Sequence, residues 1–112
     1  MTRAKFPYFR SEKHLRNVAA LDCQSCGRGG PSQAAHSNRA EHGKGRSIKA
    51  SDIYTAALCP ACHTEVDSGK LTREQREAIW HAAWTNTQSA LVRNGQWPRV
   101  SPSTAIVDGD GK

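Results

Sequence analysis

Cys23-Gln24-Ser25-Cys26 and Cys59-Pro60-Ala61-Cys62 are two C-x2-C pairs, and His63 directly follows the second. They hold all 4 cysteines of the chain. Each short knuckle can turn two sulfurs toward one point, and two knuckles together complete the tetrahedron that Zn2+ favours. Four thiolates close the coordination sphere, so such an ion fixes structure and takes no part in a reaction. Where thiols stay reduced, paired knuckles read as a metal site in preference to disulfides.

The histidines add a different chemistry. His36 lies between the knuckles and His63 at the end of the second. Hydrolysis of a phosphodiester needs an activated water and a stabilised leaving oxygen. A neutral imidazole can take a proton from water near pH 7. His63 and Asp67 are four residues apart, so on a helix they share one face and can hold one ion together. Between the histidines runs a polar loop with Arg39, Lys44, Arg46 and Lys49, interleaved with Gly43 and Gly45. Such a loop can approach a phosphate backbone closely, giving affinity without sequence information. Lys and Arg total 16 against 10 Asp and Glu, a formal charge of +6, which favours a polyanionic partner with nucleic acid first.

These side chains need elements to hold them. Gln33-Ala34-Ala35-His36 reads as a first short strand, and Ile53 to Leu58 as a second, richer in β-branched and aromatic residues. A helix is expected from near His63. Ser11 can cap an earlier helix in which Leu15, Val18 and Ala19 share a face. Thr72-Arg73-Glu74-Gln75 is a capping-box sequence that starts a longer helix, running to about Arg93 and ended by Asn94-Gly95. Ile79, Trp80, Ala83, Trp84 and Leu91 form its apolar stripe; these tryptophans and Trp97 read as packing residues in preference to base-stacking platforms. His14 and His81 read as partly exposed helix residues, and His42 as a loop residue.

At 112 residues the chain suits one compact domain with a modest core. The division expected is a basic lead-in arm over 1–10, a zinc-bound domain over 11–97 and a disordered tail over 98–112. No apolar stretch follows the charged start at Met1 to Pro7, and none approaches the ~20 residues of a membrane span. The expectation is a cytoplasmic protein.

Leu58-Cys59-Pro60-Ala61-Cys62-His63 resembles the L-C-x-x-C-H signature of HNH (ββα-metal, His-Me finger) endonucleases. More narrowly, Cys23 to Cys26, Ala35-His36, Lys49 to Asp52, and Cys59 to His63 with Asp67 resemble a family of small phage and prophage nucleases of that type. The similarity covers about residues 11–95. It implies an α+β fold: a zinc-stabilised ββα finger with flanking N- and C-terminal helices. It also implies a DNA endonuclease in which His36 is the general base and His63 binds a catalytic Mg2+ or Mn2+. A phage-encoded protein of this kind would act in the host cytoplasm, beside phage recombination or packaging proteins.

Two positions depart from that pattern. Ala35 stands where many members carry an acidic residue, and Tyr54 near where the middle asparagine falls. Asp67 can supply the missing acid, and Asp52, Thr55 or Asn38 can stand in for the asparagine. Two other readings stand beside this one, the first motivated by these departures. One is a zinc-dependent nucleic-acid-binding module without catalysis. The other is a zinc-stabilised adaptor that presents the apolar face of the 72–93 helix to a partner protein.

Overall fold

A computed structural model describes residues 8–99. The expectations for residues 1–7, and for the tail beyond 99, lie outside the described residues. The element order is α1 (Glu12–Ala19), β1 (Gln33–His36), a 3-10 turn (Ala40–His42), β2 (Thr55–Leu58), α2 (Pro60–Ser68) and α3 (Arg73–Arg93). The two strands pair antiparallel, Gln33 opposite Leu58 and His36 opposite Thr55. The result is a small α+β protein: a hairpin followed directly by a helix, with a helix on either side in sequence.

Local chemistry sets the boundaries. Ser11 caps α1 by accepting from the His14 amide at 3.0 Å. At α3, Thr72 Oγ1 accepts from the Gln75 amide at 3.1 Å and Gln75 Oε1 from the Thr72 amide at 2.9 Å, a reciprocal capping box. Gly95, at φ +72, closes the other end as its amide reaches the Val92 carbonyl at 3.0 Å.

Two boundaries differ from those expected. β2 starts at Thr55 and not Ile53, because the Tyr54 amide turns back to the Ser51 carbonyl at 2.9 Å. α2 starts at Pro60 and not near His63; Cys59 is its N-cap, and proline suits the first helical position because its missing N–H has no helical partner there. His14 is also buried, and not partly exposed: it sits edge-on between Phe9 and Trp97, with ring centroids 5.8 and 5.7 Å away.

The core lies on both faces of the hairpin. Ala35, Ala56 and Leu58 pack with Trp80, Ala83 and Val66, whereas Ala57 faces Val18 and Leu91. Every residue of β2 is buried. Alanine side chains let the helices approach the strands closely, and side chains of α3 with the backbone of the first knuckle then satisfy groups that the two-stranded sheet leaves unpaired. Thr87 Oγ1 accepts from the Ala57 amide at 3.0 Å, the Gln24 amide donates to the Ala57 carbonyl at 2.9 Å, and Trp80 Nε1 donates to the Ala35 carbonyl at 2.8 Å. The apolar residues of α3, Val92 apart, are thereby largely spent inside the molecule. Among the described residues only Ile48 and Val92 are exposed large hydrophobics.

Thr87→Val keeps the shape but leaves the buried Ala57 amide without its acceptor. The variant is expected to lose about 1–3 kcal/mol in denaturant unfolding. A loss below about 0.5 kcal/mol would show that this bond does not seal the strand.

Candidate functional site

The four cysteine sulfurs lie within 4.8 Å of one another. Cys26 Sγ and Cys59 Sγ are 3.7 Å apart, close to the ~3.8 Å edge of a tetrahedron with Zn–S bonds of ~2.3 Å. Amides of Ser25 and Cys26 point at Cys23 Sγ from 3.4 Å each, so the knuckle aims two donors at a thiolate. Burial opposes ionisation of Cys23, yet those amides and that of Cys59 bring its thiol down to about 6. Burial and the neighbouring thiols push Cys62 up to about 12. Four thiolates share so small a space only around a cation. Donor set, spacing and amide orientation all fit Zn2+.

The centre also anchors the helix that begins beside it. Cys59 is the N-cap of α2, so the backbone that supplies a sulfur places His63 in the helix's first turn, its amide 2.8 Å from the Cys59 carbonyl. His63 Nδ1 meets Gln33 Oε1 at 2.7 Å. An amide oxygen only accepts, so Nδ1 is the donor of that bond. The ring's Nε2 is 3.2 Å from Asp67 Oδ2. Once that nitrogen carries no proton, it and the carboxylate oxygen beside it can be two ligands for one cation. Asn38 Nδ2 steadies the other Asp67 oxygen at 3.3 Å.

His36 ends β1. Its Nε2 lies 2.8 Å from Asp52 Oδ1. A carboxylate accepts, so Nε2 carries the proton and Nδ1 is the basic nitrogen of the neutral ring. Asp52 is itself fixed: its Oδ2 takes the Ser11 amide at 2.9 Å and its Oδ1 the Arg10 guanidinium at 3.1 Å. Burial opposes its ionisation, but the bonds from His36, the Ser11 amide and Arg10 outweigh that and hold it below the ordinary 3.8. Arg10 also donates to the Lys49 carbonyl at 2.7 Å, so the segment before α1 is stitched to the loop before β2.

His36, His63 and Asp67 line one cleft of about 230 Å³, together with Lys44 and Lys49. The other two basic candidates lie elsewhere. Arg46 is exposed in the tight turn bridged by Gly45 and Ile48, and Arg39 pairs with Glu41 at 2.8 Å beside a neighbouring recess. His42 is held in the 3-10 turn, stacked 4.0 Å from the Tyr54 ring and 2.6 Å from Ser37 Oγ, and burial lowers its pKa. Tyr54 therefore serves as a platform for the loop. Sequence reasoning assigns neither Gln33 nor Arg10 to the site, and leaves Asp52 as one of several stand-ins for an asparagine. For Gln33 a signal exists in the register of β1, which sets it two residues before Ala35 on the side of the second knuckle.

Compared with known proteins, the chain matches no family model, no curated sequence and no solved structure. Among the described residues no helix is long and apolar enough to cross a membrane.

The purified protein is expected to carry one Zn2+ per chain, and chelation should erase its NMR dispersion. Structural zinc contributes about 10 kcal/mol or more, comparable with the whole stability of a small domain. Full dispersion after complete zinc removal would contradict this role. Asp52 gives a pH prediction. Its folded-state pKa is depressed, so its stabilisation is present above the ordinary 3.8 and is lost as pH falls through the folded value. The stability gap between wild type and Asp52→Asn should be widest near neutral pH and shrink below about pH 4. A gap that grows on acidification contradicts the assignment.

Proposed function

We propose that the protein is a metal-dependent endonuclease of the HNH type that hydrolyses DNA phosphodiester bonds. The observation that carries this reading is the single cleft that gathers His36, oriented by a buried carboxylate, with His63 and Asp67, and has two lysines at its rim. Lys44 and Lys49 draw in and position the phosphate backbone. His36, held by Asp52, takes the proton of the attacking water at Nδ1. His63 and Asp67 would hold a divalent ion, Mg2+ or Mn2+. That ion would neutralise charge on the phosphate and on the departing oxygen. The Cys23, Cys26, Cys59 and Cys62 centre keeps the strand end and the helix start at a fixed separation. DNA is the partner this reading requires, in a phage setting if the family likeness is followed that far.

A second reading has one observation in its favour. Ala35 is fully buried in the core, so no acidic ligand can be offered from the position where many such enzymes carry one. If Asp67 does not fill that role, the same cleft and lysines make a nucleic-acid-binding module without chemistry.

Nicking of supercoiled plasmid with Mg2+ or Mn2+ separates the two. Wild type should nick, and His36→Ala should lower the rate by ~10²–10⁴-fold with unchanged zinc content. His63→Ala should abolish the cutting that Mg2+ or Mn2+ supports. Absence of cutting on duplex, single-stranded and branched DNA with either ion, alongside salt-dependent binding, would establish the binding module instead.

A further inference from the structure

A second recess, of about 370 Å³, opens beside the histidine cleft and shares Ser37, Asn38 and Asp67 with it. Its volume falls in the ~300–1,000 Å³ range of pockets that hold small ligands. The nuclease reading makes no use of it. Its walls come from α3, from the end of α2 and from the loop after β1. Arg76 stands in the wall with Nη1 fixed on the Asp67 carbonyl at 3.0 Å, while its buried Nε has no hydrogen-bond partner among the described residues. Glu77 offers a carboxylate from the next position, 3.3 Å from Arg73 and 3.8 Å from Arg39. Val66 and Trp80 add apolar lining.

A fixed guanidinium in the lining, a neighbouring carboxylate and apolar walls match the edge of a nucleobase. The carboxylate can accept from an exocyclic amine or ring N–H, and the guanidinium can donate to a ring nitrogen or carbonyl. In a duplex those edges are paired and the faces stacked, so a base can enter such a recess only when it is out of the stack. The shared Asp67 sets the distance: a nucleotide seated here adjoins a phosphate lying between His36 and His63. We infer that the recess receives one unpaired nucleotide of the bound strand, next to the phosphate held in the histidine cleft, and so directs the protein to DNA that is locally unpaired. The inference rests on the nucleic-acid reading of the cleft.

The test is binding, and needs no cleavage. Full-length zinc-loaded protein, without added Mg2+ or Mn2+, is titrated into two duplexes of equal length and charge. One is perfectly paired; the other carries a single 2-aminopurine opposite an abasic site. Binding to the second should be ~10-fold tighter, the gain from one added hydrogen bond to a charged group, and 2-aminopurine emission should rise as the base leaves the stack. Arg76→Ala should remove most of the preference and leave affinity for the paired duplex within about 2-fold, since that affinity comes from phosphate contacts. Glu77→Gln provides a second variant should Arg76→Ala lose zinc or fold, and should reduce the preference in the same direction. Equal affinity for the two duplexes with unchanged emission overturns the proposal, as does a preference untouched by both folded variants. A preference without plasmid nicking would uphold the recess while removing the nuclease, and nicking without preference would do the reverse.

Discussion

Four sulfurs drawn to one point are the constraint on which the rest of this molecule depends. The strands are only four residues each, and a hairpin that short is not stable alone in water. The first knuckle precedes β1 and the second comes after β2, so the centre ties the open end of the hairpin shut. It does so at the residue that starts α2. Shortening the path between a strand end and a helix start to one metal centre removes most of the freedom with which the two could rearrange. The rigidity of the cleft is thus inherited from chemistry outside it.

A second fixed point lies at the other end of the hairpin. Asp52 receives His36, the Ser11 amide and Arg10 on two oxygens, and is almost wholly buried. A buried carboxylate with donors directed at both oxygens keeps its charge and orients what it touches. Here it joins the residues before α1, the approach to β2 and the end of β1. The hairpin therefore has four sulfurs that could hold a cation at one end and an anion with its donors at the other.

Much of this arrangement is local and legible in the residues. The capping box at Thr72, the Ser11 cap, the strand Gln33–His36 and the assembly of the four cysteines all arise from short-range spacing and side-chain chemistry. Pro60 carries the signal for the true start of α2, since proline suits a first helical position. Other features depend on contacts between distant segments. Nothing near His14 in sequence says that Phe9 and Trp97 will enclose it, and nothing near His36 says that Asp52 will be its partner. The loop cations also divide: Arg39 pairs with Glu41 nearby and with Glu77 far along the chain, beside a neighbouring recess, while Lys44 and Lys49 line the cleft.

The alanines of the hairpin have a further effect on how the protein can change over time. Ala35, Ala56 and Ala57 have no accessible surface, and each meets a helix or tryptophan on its face. Any bulkier replacement must displace its neighbour, because a close-packed interior has no slack to absorb even one methylene. The strand that carries His36 and the helices around it are spaced by single methyl groups. The hairpin interior of this chain thus admits almost no drift.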